Sequence, residues 1–173
     1  MDRQKRLYIA DELFSLVFQG TLGRSITYDK RASESQRAAF KAALRRKLEA
    51  VGERYRKLVE DEEHIAAIER LARELSTEFK DCLHRGRFRI GSAQKALNLH
   101  LKYLWCVETT RPCPPHCPFD SIIIDRLGLS ESVRWTALDD ISIYRQLVDR
   151  ARSLAAAKGQ TIAEWELCEY NEP

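Results

Sequence analysis

From Phe88 to Asp120 the chain threads polar groups through an apolar helical pattern and then breaks that pattern with prolines: FRIGSAQKALNLHLKYLWC, then VETTRPCPPHCPFD. Ala93, Ala96, Leu97, Leu101 and Leu104 recur at helical spacing, so the first half is a helix with a face in a core. Gly91 is the only glycine between Gly86 and Gly128, and it marks a tight turn leading into that helix. Ser92 stands where a hydroxyl can cap the first turn by accepting from a free amide. Into the apolar face the chain places Lys95, Asn98, His100 and Lys102. Beyond the prolines, Pro118-Phe119-Asp120 leads into Ile122-Ile123-Ile124.

The rest of the chain reads as helix. Residues 3 to 19 form an amphipathic helix with Leu7, Ile9, Leu13, Leu16 and Val17 inward, followed by a loop around Gly20, Gly23 and Tyr28-Asp29. Ser33-x-x-Gln36 has capping-box spacing and opens a long charged helix through Lys57, with Gly52 placed to interrupt it. Asp61 to Leu83 is a third helix with Ile65, Ile68, Leu71, Leu75 and Phe79 inward. A short helix spans Phe119 to Leu127 and ends at Gly128; Ile122 to Ile124 is long enough only for a minimal strand as the other reading. Asp139 or Asp140 starts a helix that runs to Lys158 and stops at Gly159, and Thr161-x-x-Glu164 is a second capping box. No period-2 pattern competes with these. The expectation is a single all-α domain, 1–173, of six or seven helices, with an N-terminal helical part (1–60) and a site-bearing part (61–173).

Charge and cysteines bound the partners. The 173 residues carry a net charge of only +3, so overall charge does not demand an anionic partner. Local charge matters more: Arg85, Arg87 and Arg89 precede Gly91. Five cysteines are an odd number, and the charged start Met1 to Arg6 precedes an apolar segment, Leu7 to Phe18, too short and interrupted for export or for spanning a membrane. A cytoplasmic protein with reduced thiols and no membrane association is the expectation.

Gly91-x-Ala93-x-Lys95-x-x-Asn98, followed by Pro118-Phe119-Asp120 and Arg126-Leu127-Gly128-Leu129, resembles the helix-hairpin-helix DNA glycosylases over residues 88–129. Members of that family carry Gly-x-Gly-x-Lys-x-x-Asn at a hairpin opening a helix, then Pro-Val-Asp. The resemblance implies a DNA glycosylase, or a glycosylase with AP-lyase activity, that removes a damaged base from DNA. Lys95 matches the nucleophile and Asp120 the carboxylate that stabilises developing positive charge. Gly91 and Ala93 match the hairpin glycines, and with Ser92 their amides match the phosphate site; Arg87 and Arg89 add candidate phosphate contacts. Tyr103, Trp105 and Phe119 are candidates to line a pocket for a flipped base. This chain departs from the pattern at Ala93, at Ile122 where the family has histidine, and in the longer loop TTRPCPPHC.

Read without the resemblance, Lys95 is a snorkelling lysine and Asp120 a helix N-cap. The chain is then a non-catalytic helical interaction or DNA-binding module, its Cys/His/Pro loop structural and its charged 33–57 helix the surface for a protein partner. Cys106, Cys113, His116 and Cys117 lack a clean metal-ligand spacing, and neither a metal nor a cofactor is expected. Trp135, Tyr144 and Trp165 read as core or helix docking.

Overall fold

The computed structural model describes residues 3–171, and among these the chain is all α, with no strand. Seven α-helices follow in order: α1 (Arg3–Thr21), α2 (Glu34–Arg54), α3 (Asp61–Glu78), α4 (Ile90–Val107), α5 (Ser121–Arg126), α6 (Ile141–Ala157) and α7 (Ile162–Asn171). Short 3-10 turns lie at Leu22–Arg24 and His84–Gly86. No described helix is long and apolar enough to cross a membrane.

The helix starts follow from local chemistry. Ser33 Oγ accepts from the Gln36 amide at 3.2 Å while Gln36 Oε1 accepts from the Ser33 amide at 2.8 Å, closing the capping box of α2. Asp140 accepts from the Ser142 amide at 2.8 Å and starts α6. Thr161 and Glu164 exchange the same reciprocal bonds ahead of α7, at 2.9 and 3.3 Å. Three acids, Asp61, Glu62 and Glu63, occupy the first turn of α3, where the helix dipole favours negative charge. Gly159 ends α6 with φ +69°, a conformation that costs other residues strain.

At the centre lies α4, packed against α1, α2, α3 and α6. Every residue from Ile90 to Asn98 is buried, as are His100 and Leu101. Burying Leu97 or Leu101 is worth roughly 1.5–3 kcal/mol each relative to exposure. Trp165, Tyr144, Phe40, Phe88 and Phe119 are the largest fully buried side chains. Phe40 anchors one end through edge-on contacts to Tyr28, Phe79 and Phe88, with ring centroids 5.7, 5.4 and 5.3 Å away.

Several boundaries and faces differ from the sequence reading. In α1 the buried residues are Phe14, Val17 and Thr21, while Leu7, Ile9 and Leu16 are exposed. The fully buried line of the helix runs through residues 14, 17 and 21, which the more numerous aliphatics outvote in a periodicity count. Gly20 lies within α1, where a Cβ would stand 2.9 Å from Leu99 Cδ1. Gly52 does not interrupt α2: it is buried within it, where a Cβ would stand 2.9 Å from His100 Nε2. α3 stops at Glu78 rather than Leu83. Ile122 to Ile124 are helical, because Asp120 caps their amides.

The start of α4 is the main correction. Its N-cap is Arg89, not Ser92, and Gly91 lies inside the first helical turn rather than in a hairpin turn before it. Gly91 serves close approach: its N–H donates to Leu138 O at 2.8 Å, and a Cβ there would lie 1.8 Å from Trp135 O. The missing side chain lets the 134–138 turn sit on the helix backbone.

Three histidines are buried with hydrogen-bond or stacking partners. His64 Nδ1 meets Tyr55 OH at 2.7 Å, and the His64 and His116 rings stand edge to face at 4.6 Å. His116 Nδ1 meets Tyr144 OH at 2.8 Å and its Nε2 lies 3.3 Å from Asp61. His100 stacks on Phe14 at 4.9 Å. Burial, which penalises the imidazolium, pushes His64 well below its ordinary value, lowers His116 despite Asp61, and brings His100 to about 4. A histidine whose folded pKa is depressed contributes stability fully present above the unfolded value near 6.5 and lost as pH falls toward the folded value. His100 alone should cost on the order of 3 kcal/mol between pH 6.5 and about 4. The urea midpoint should therefore drop as pH falls below 6.5, and His100→Gln should flatten part of that drop. A midpoint constant down to about pH 4 would contradict the neutral buried imidazoles.

Candidate functional site

Lys95 and Asp120, separated by the proline loop, meet with Nζ 3.5 Å from Asp120 Oδ2. The path that joins them begins one residue before the lysine. Gln94 acts on Phe119 as a paired strand would: its Nε2 donates to Phe119 O at 2.8 Å and its Oε1 accepts from Phe119 N at 3.2 Å. Asn98 supports Gln94, with Nδ2 3.3 Å from Gln94 Oε1 and 3.3 Å from Tyr144 OH. This buried set pins residue 119 to α4, so residue 120 falls beside residue 95. The intervening loop is fastened separately: Arg111 Nη1 donates to Gly52 O at 2.8 Å, and His116 is held by Tyr144.

Asp120 divides its work between its oxygens. Oδ1 accepts from the Ile122 and Ile123 amides at 3.0 and 3.1 Å and caps α5; Oδ2 faces the lysine. Asp120 is the helix N-cap the sequence allows, and the same side chain also faces Lys95. Lys95 is only 4% exposed, so it is not a snorkelling surface lysine. Its amine lies 4.3 Å from the centroid of the Trp135 ring, a cation–π contact supplied by the 127–140 segment. Burial lowers the Lys95 pKa, with Asp120 opposing it and the charge of Arg24 adding to it.

Trp135 also lines a cavity of about 280 Å³, with Arg24, Ser121, Ile124, Arg134 and Thr136 among its other walls. The sequence reading puts Trp135 in the core, and at 4% exposure it is buried there; its contact with Lys95 has no signal in the local pattern. Tyr103, Trp105 and Phe119 do not line this cavity. Phe119 is fully buried, packed edge-on to Tyr144 at 5.6 Å.

The α4 N-terminus differs from a hairpin phosphate site. The Ile90 amide donates to Asp139 Oδ1 at 3.3 Å, the Gly91 amide to Leu138 O, and the Ser92 and Ala93 amides to Arg89 O at 3.0 and 2.9 Å. Gly91, Ser92 and Ala93 are buried, and none of their amides is left for a phosphate. Arg87 pairs with Asp139 at 2.7 Å, and Arg89 Nη1 donates to Thr136 O at 3.0 Å, bracing the segment that carries Trp135.

On α2, Arg45 pairs with Asp11 and Glu49, Lys47 with Glu74, and Arg54 with Glu63, so much of its basic surface is matched within the molecule. Lys102 forms a second buried pair, 2.7 Å from Glu166. No group of three or more His, Cys, Asp or Glu side chains among the described residues is arranged to hold a metal ion. Comparison with protein-family models, curated proteins and solved structures finds no match to this chain.

Proposed function

We propose that the Lys95–Asp120 centre makes this chain a DNA-binding protein of the base-excision glycosylase type, acting on a nucleotide flipped out of the duplex. The observation that carries the reading is the meeting of a buried, pKa-lowered lysine with a carboxylate, beneath a Trp135 ring that itself lines a cavity. A neutral Lys95 amine would add to the sugar C1′ while the N-glycosidic bond breaks and its electron pair leaves with the base. Asp120 would stabilise the cationic sugar and accept the proton the amine sheds; opening of the sugar ring then gives a Schiff base. Because Trp135 lies over the amine, the 127–140 segment must shift for a sugar to reach it. Phosphate contacts in this reading fall to arginine side chains, since the first-turn amides of α4 are engaged. Five free cysteines fit the cytoplasmic setting that accompanies it.

Duplexes carrying oxidised, deaminated or alkylated bases, incubated with protein and then treated with alkali, test this by strand cleavage at the lesion. Asp120→Asn should slow base release by about 10²-fold or more while keeping the fold, because asparagine also caps helices.

A second reading is favoured by the same closure. An amine enclosed by Asp120 and Trp135 ties α4, α5 and the 127–140 segment together, as a structural pair in a non-catalytic helical module would. No cleavage across the lesion panel would move the assignment there.

A further inference from the structure

Ion pairing separates the arginines around the site into two groups. Arg87 is neutralised by Asp139 at 2.7 Å. Arg24, in the turn after α1, and Arg134, on the 127–140 segment, form no salt bridge with any described residue. Distant in sequence, they line the same cavity of about 280 Å³. Ser121, Ser130 and Thr136 add hydroxyls to its wall, and Ile124, Val133 and Trp135 add apolar surface.

We propose that this cavity is a binding site for a phosphate monoester of about nucleotide size, its phosphate held by Arg24 and Arg134. Guanidinium groups bind phosphate oxygens in pairs of parallel hydrogen bonds, and hydroxyls can serve an oxygen left over. The residues that line the cavity include these two arginines and no acid, so the charge its lining presents to a ligand is positive. The volume lies near the lower end of the range typical of small-molecule pockets, which suits one small organic group beside the phosphate. The apolar wall would cover that group. The assignment is independent of any catalysis by Lys95.

Isothermal titration at low salt, with inorganic phosphate, ribose 5-phosphate, a deoxynucleoside 5′-monophosphate and its parent nucleoside, tests it on the full chain. The two monoesters should bind, inorganic phosphate more weakly, and the nucleoside not measurably. Arg24→Gln with Arg134→Gln should weaken monoester binding by about tenfold or more, a loss of one strong charge-assisted contact's worth or greater. Because neither arginine holds a salt bridge, the double variant should melt as the wild type does. Arg87→Gln, which alters an arginine already paired, should bind monoesters like the wild type. The assignment is overturned by undetectable monoester binding at millimolar concentration, by equal binding of nucleoside and monophosphate, by equal binding of inorganic phosphate and monoester, or by unchanged affinity in a folded double variant. Arg24→Lys with Arg134→Lys serves if the glutamine variant misfolds: it keeps the charge but loses the paired geometry, and unchanged affinity there would also count against the site.

Discussion

Gly91→Ala should be among the most damaging single substitutions in this protein, lowering stability by about 3–5 kcal/mol. The added methyl would lie 1.8 Å from Trp135 O, 2.9 Å from Trp135 C and 3.1 Å from Leu138 Cβ. Two of these atoms are backbone, so no rotamer change relieves the clash. Moving the turn away would strain or break the Gly91 N–H to Leu138 O bond at 2.8 Å and lift Trp135 from Lys95. For a chain of this length the melting temperature should fall by roughly 6–20 °C. Gly23→Ala is the control: nothing lies close to its Cβ position, and its effect should be within about 1 kcal/mol. Thermal melts of both variants decide the matter, and a Gly91→Ala protein melting within a degree or two of wild type would contradict this packing.

That glycine also shows what was legible in the sequence. A lone glycine before an apolar run reads locally as a turn, and the chain does need glycine there. The reason is a carbonyl from far along the chain, at Trp135, which no local pattern encodes. The two capping boxes are local and legible: Ser33 with Gln36 and Thr161 with Glu164 form the cap bonds their spacing implies, and of the two candidates Asp139 and Asp140 it is Asp140 that caps α6. The all-α class followed from helical periodicity sustained through most of the chain. The buried face of α1 is not legible because Leu7, Ile9 and Leu16 are as apolar as the residues that pack, and tertiary contacts, chiefly with α4, distinguish them.

At the site, Lys95 and Asp120 stand out from their sequence context, and the structure places them 3.5 Å apart. How they meet was not legible, because it depends on Gln94 binding the backbone of Phe119 across the loop. The indole over the lysine and the two unpaired arginines lie outside residues 88–129, so a motif confined to that stretch contains no trace of them. The engagement of the Gly91 to Ala93 amides was equally hidden, since their partners include Leu138.

The proposed chemistry has a second large effect, at Lys95 itself. A Schiff base needs an amine that is neutral part of the time and close to the sugar carbon, and burial lowers the Lys95 pKa toward that state. Lys102 lies seven residues on, about 10 Å further along the helix by its rise. It is also committed to Glu166 at 2.7 Å, so it cannot substitute. Lys95→Gln retains a side chain that can donate to Asp120, and the Asp120 cap on α5 does not involve the lysine. Its fold and duplex affinity should stay close to wild type. The most direct measurement is borohydride trapping on a panel of oxidised, deaminated and alkylated duplexes, comparing wild type with Lys95→Gln. The expected result is a covalent protein–DNA complex with wild type on at least one lesion, and none with Lys95→Gln. Trapping by Lys95→Gln at the wild-type level would remove Lys95 as nucleophile, and no trapping by wild type on any lesion would contradict the Schiff-base chemistry altogether.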